Sequence, residues 1–135
     1  MKEKAHQFTR KSWTWGYDSA FCLDTFLQGF KQKMREVADH SRKAGFWKGR
    51  VTLAHDAQCI ALMHSELSEA LEALRHGNPE SEHLPGFSGV EEELADVVLR
   101  AMDYAARRKL LLGEAIVAKI NFNKTRAYKH GGKKF

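Results

Sequence analysis

Residues 64–77 read HSELSEALEALRHG, and residues 90–105 read VEEELADVVLRAMDYA. Both stretches place apolar residues at steps of three and four, the spacing of a helix with one buried stripe. Between them lies GNPESEHLPGFS, residues 77–88, which holds both prolines of the chain, Pro79 and Pro85. Proline removes a backbone donor and breaks a helix, so this stretch is a loop. Gly77 followed by Asn78-Pro79 stops the helix before it, and Ser88 with Glu91 three residues on forms a capping box that starts the next. The chain therefore makes a helix–loop–helix unit at its centre.

Working outward, the first helix spans about Ser19 to Lys43, with Asp18 or Ser19 as its cap and Gly45 at its left-handed end. Leu23, Phe26, Phe30, Met34 and Val37 make its stripe. The second runs from about Thr52 to His76, with Ile60, Met63, Leu67, Leu71 and Leu74 expected to face the core. The third runs to about Arg108, with Leu94, Val97, Val98, Ala101 and Ala105 apolar. Gly113 interrupts the pattern, and a fourth helix spans about Glu114 to Lys129 with Ile116, Val117 and Ile120. Four helices on short connections give an all-α fold, an antiparallel four-helix bundle expected to pair as a homodimer or homotetramer.

Composition sets the outer limits. A chain of 135 residues is one domain, residues 1–135, with an aperiodic arm at 1–17 and a basic tail at 130–135. No apolar run is long enough to cross a membrane, and the basic start lacks the apolar segment of a secretory signal, so a cytoplasmic location is expected. Cys22 and Cys59 are too few for a disulfide framework and read as reduced residues. The net charge of +5 is uneven: acids crowd the middle, whereas Lys119 to Lys134 carries bases and no acid. This asymmetry suits a cation held beside a polyanion, or simply a solubilising tail.

The chemistry lies in Glu66-x-x-Glu69 and Glu93-x-x-Asp96. Residues three apart share a helix face, about 4.5 Å apart along the axis. Neighbouring helices sit about 8–10 Å apart. Four carboxylates on facing sides can therefore converge on a hydrated divalent ion, and Mg²⁺, a hard ion that takes oxygen ligands, is the natural guest. Without it the acids would repel and raise one another's pKa. A solvated acidic face is the plain alternative, and Glu91 and Glu92 are explained by the positive end of the helix dipole. The lack of a histidine at the right step of either pair speaks against a di-iron centre.

With its tail, Lys119-x-x-x-Asn123-x-x-Arg126 followed by Lys129-His130-Gly131-Gly132-Lys133, the acidic motif resembles the MazG-like family of all-α nucleoside triphosphate pyrophosphohydrolases. The resemblance covers roughly residues 53–133. It implies cleavage of a (d)NTP between its α and β phosphates to (d)NMP and pyrophosphate, with Glu66, Glu69, Glu93 and Asp96 as catalytic Mg²⁺ ligands and Mn²⁺ as a substitute. One of the four, or Glu92, would serve as general base. Lys119, Asn123 and Arg126 share a helical face and are candidates for phosphate and sugar contacts, or else a polar solvent face. Phe46 and Trp47 are candidates for stacking on the base, or else plugs at the bundle end. No membrane partner and no stable nucleic-acid complex are expected. The rival reading is a helical module that binds polyanions or nucleic acid through its basic tail.

Overall fold

A computed structural model describes the backbone of residues 19–126 and the side chains of residues 23–126. It has four helices: α1 (Ser19–Lys43), α2 (Leu53–Arg75), α3 (Gly89–Arg108) and α4 (Leu112–Lys124). The expected arm at 1–17, the tail at 130–135 and the Cys22 side chain lie outside the described residues. Among the described residues there is no strand, only an isolated antiparallel bridge between Glu80 and Ser88, and no helix is long and apolar enough to cross a membrane.

The helix ends follow the local chemistry of the sequence. Thr52 accepts a hydrogen bond from the His55 backbone and caps α2. Ser88 and Glu91 form the reciprocal capping box that starts α3. Gly45 and Gly77 take positive φ, 87° and 81°, where a side chain would be strained. Helix α3 ends at Arg108 as expected, closed by Lys109 in the left-handed conformation. One end differs from expectation. Gly113 does not interrupt the last helix but lies buried in its first turn. A Cβ there would stand 3.1 Å from Phe30 Cδ1 and 3.4 Å from Leu27 Cδ2, so the missing side chain lets α4 lie against α1.

The helices pack chiefly as α2 on α3, α3 on α1, and α1 on α4. Lys31 and Glu114 bridge α1 to α4 at 2.6 Å. Two ion pairs tie α2 to α3: Glu66 with Arg100, and Asp56 with Arg108. The earlier residue on one helix meets the later one on the other, so these helices run antiparallel.

The core is thin. Among the described residues, the buried apolar side chains are Ala38, Ala70, Met102 and Ala105, and no large side chain is fully buried. The expected core stripe of α2 divides. Met63 is half-buried, but Ile60, Leu67, Leu71 and Leu74 point outward. Together with Leu53, Ala57 and His64 they form an exposed row stepping four, three, four, three along the helix. That spacing gathers them on one face of the helix. Leu94 and Val98 of α3 are likewise exposed, and Phe26 and Ile120 more than expected.

Candidate metal centre and adjoining cleft

The side of α2 turned away from that row buries an acid. Glu66 is only 5 % exposed, although it is a glutamate in mid-helix. It faces Glu93, the fifth residue of α3, and one carboxylate oxygen each from Glu66, Glu69 and Glu93 lies within 4.8 Å of the others. Glu69 is exposed and Glu93 half-buried, so the group opens to solvent on one side. Mutual repulsion makes this arrangement costly for ionised carboxylates. It shows in Glu93, whose pKa is pushed up to about 7, first by burial, then by its hydrogen bond with Glu66 and the charges of Glu69, Glu66 and Glu92. Three oxygen ligands from two rigid helices, with one protonated in place of a cation, are a donor set that fits a hard divalent ion.

Asp96, expected as a fourth ligand, falls outside that spacing. Its side chain is one carbon shorter than glutamate and sits one turn further along α3. Instead it lines an open cleft of about 690 Å³ between α1, α2 and α3. Among the described residues, Asp96 carries no ion pair. It thus presents a carboxylate to the cleft beside the acidic cluster.

Glu92, considered for general base, is committed elsewhere. Ser81 Oγ donates to it at 2.5 Å, and His83 Nδ1 lies 3.0 Å from its other oxygen. Those contacts, Ser81 first, hold its pKa below the usual glutamate range. Ser81 Oγ also accepts from the backbone N–H of His83 and Leu84. Glu92 therefore straps the proline loop to α3 and makes a poor proton acceptor.

The two aromatics separate. Phe46 is 69 % exposed and lines the cleft. Trp47 is half-buried and fixed: its Nε1 donates to Asp103 at 2.8 Å, and the guanidinium groups of Arg42 and Arg107 lie 4.9 and 6.0 Å from the ring centroid. Trp47 is a plug that holds the α1–α2 connection, which leaves Phe46 as the accessible apolar surface. Lys119, Asn123 and Arg126 are exposed on or beside α4 and belong neither to the acidic cluster nor to the cleft lining. Lys119 Nζ instead sits 4.9 Å over the Phe122 ring.

Sequence reasoning missed two arginines. Arg100 donates through Nε to Glu66 Oε1 at 2.6 Å, with its Nη2 at 2.5 Å from the same oxygen, and it lines the cleft. Arg107 donates to the Phe46 carbonyl and to His55 Nε2, both at 3.0 Å, pinning the α1–α2 connection to α3. Arg100 lies four residues beyond Asp96, one turn along the same face, which was the available signal. Cys59 lines the cleft next to His55, yet burial and the nearby Asp103 push its thiol pKa up, so it is not an activated nucleophile.

No protein-family model, curated protein or solved structure matches this chain.

Proposed function

We propose that the protein is a Mg²⁺-dependent nucleoside triphosphate pyrophosphohydrolase of the MazG-like kind, cleaving a (d)NTP between its α and β phosphates to (d)NMP and pyrophosphate. The observation that carries this reading is the convergence of Glu66, Glu69 and Glu93 across two antiparallel helices, directly beside a cleft of nucleotide size. Those three residues would hold the cation, and Asp96 would complete its shell from the cleft side. A bound divalent ion supplies neutralisation of the triphosphate and acidification of a coordinated water. The chain's own part is to position. The two helices fix the carboxylates, Phe46 offers the base an apolar face, and Arg107 holds the cleft wall in place. Glu92, held ionised by Ser81 and His83, is poorly suited to take up a proton from that water.

The same reading includes assembly. The large apolar residues of the exposed row on α2 are from 44 % exposed at Ile60 to 83 % at Leu53. Covering a half-exposed leucine stabilises by roughly 1–2 kcal/mol, so a second copy seated on the whole row would contribute what the thin core of one chain lacks. The rival reading, a polyanion-binding module, draws on the exposed Lys119, Lys124 and Arg126 near the end of α4.

The test is a pyrophosphate-release screen over NTPs and dNTPs with Mg²⁺, run beside Glu69→Gln. Release that requires Mg²⁺ and is lost in Glu69→Gln, with unchanged helical circular dichroism, supports the enzyme. No release from any nucleotide, together with salt-sensitive oligonucleotide binding that ignores EDTA, supports the module instead.

A further inference from the structure

A buried carboxylate needs a counter-charge. In the described structure Glu66 finds one in Arg100, and the way the pair is made is informative. Nε and Nη2 both approach a single oxygen, Oε1, instead of forming the parallel two-oxygen fork of a strong arginine–carboxylate pair. The glutamate is buried, whereas the Arg100 side chain is 41 % exposed. Arg100 also lines the cleft with Asp96. The neighbouring arginines of α3 are engaged otherwise, Arg107 by backbone carbonyls and His55, and Arg108 by Asp56. Among the described residues, Arg100 is thus the base that both touches the acidic cluster and faces the cleft.

We infer that Arg100 is an exchangeable counter-ion: it neutralises Glu66 while the cluster lacks a metal, gives that place to a divalent cation, and turns to a phosphate oxygen of the ligand in the cleft. This rests on the metal-dependent reading above. The reasoning is electrostatic. A guanidinium and a divalent ion on the same carboxylate repel each other strongly at such short range. An arriving polyphosphate supplies the anion that the displaced guanidinium then needs, and guanidinium binds phosphate by two parallel hydrogen bonds. The half-exposed side chain can swing without disturbing the helix that carries it. Arg100 is therefore a switchable positioning residue, linking metal occupancy to polyphosphate binding.

The experiment measures binding without turnover. MgCl₂ alone, and then an α,β-methylene triphosphate analogue in saturating Mg²⁺, are titrated calorimetrically into the full chain and into Arg100→Ala. Removing a competing cation should tighten bare Mg²⁺ binding roughly three- to tenfold, while analogue binding weakens about 10- to 100-fold. These opposite signs distinguish an exchangeable ion from a structural prop, whose loss would weaken both. Mg²⁺ affinity that is unchanged or weaker in Arg100→Ala, or analogue binding that is unchanged, overturns the inference. If Arg100→Ala does not fold, Arg100→Gln, which keeps a donor to Glu66 without the charge, carries the same comparison. A wild-type chain that binds Mg²⁺ but neither binds the analogue nor releases pyrophosphate overturns the enzyme reading, and the hand-over with it. A wild type that does both, beside a variant lacking the opposite-sign effect, overturns the hand-over alone.

Discussion

Helices α2 and α3 are joined by two rungs of the same chemical make, and they differ in what surrounds them. At one, buried Asp56 meets Arg108 at 3.0 Å; at the other, buried Glu66 meets Arg100. Asp56 has no acidic cluster around it, and its Oδ1 is buried without a hydrogen-bond partner among the described residues. Glu66 has Glu69 and Glu93 within reach and a cleft beside its arginine. A buried ion pair by itself says little about purpose, because its attraction roughly offsets the cost of desolvation. Added like charge is different: it is a standing cost that a fold keeps only where a cation or proton relieves it. The Asp56 rung is thus read as architecture and the Glu66 rung as chemistry.

The sharpest way to break this contrast is to neutralise one acid at a time. Glu66→Gln should lower pyrophosphate release at least about 100-fold, whereas Asp56→Asn should leave kcat close to wild type and alter only the melting curve. Equal losses in the two variants would end the distinction. Next in size is Arg108→Ala, which strands a buried carboxylate and should cost roughly 1–3 kcal/mol in urea unfolding, toward the lower end because Arg108 is 41 % exposed. Mg²⁺ should not restore that loss, since the proposed cation site lies at the other rung.

The subtlest effect is in pH. Glu93 ordinarily titrates near 4.5, but in the fold it holds its proton up to about 7. Between those values the folded chain binds more protons than the unfolded one, so metal-free stability should fall as pH rises through the window and level off above it. Mg²⁺ binding must expel that proton. Its affinity should therefore rise with pH, by at most about tenfold per pH unit, and flatten near neutrality. Calorimetry in buffers of different ionisation enthalpy counts the proton. Release of none near pH 6 would mean that Glu93 does not face the cation.

Much of this was legible from the sequence, and what was not has definite physical causes. Helix ends are local events, so Thr52, Ser88 with Glu91, and Gly77 could be read directly. The two acidic pairs could be read because a three-residue step fixes a shared face. Periodicity, however, says that α2 has an apolar stripe without saying what covers it, so Leu67, Leu71 and Leu74 read as core residues yet lie exposed. Long-range partners leave no local trace. Nothing near Trp47 announces Asp103, and nothing near Glu92 singles out Ser81 and His83 among the polar residues of the loop. Asp96 lies outside the cluster that Glu93 joins, because a three-residue step fixes a shared face but not which oxygens converge.

The loop between α2 and α3 is fastened along its length. Asn78 Oδ1 accepts from the Val90 backbone, Gly89 N–H donates to the Pro79 carbonyl, Ser81 N–H donates to the Phe87 carbonyl, and Glu92 clamps Ser81. Surface connections ordinarily absorb insertions and deletions freely. This one sets the phase of α3. Each residue added to or taken from a helix start turns the following side chains by about 100°, and Glu93 lies barely one turn in. Loop length thus acts as a gauge: a single deletion here would leave all four helices standing and swing Glu93 away from Glu66.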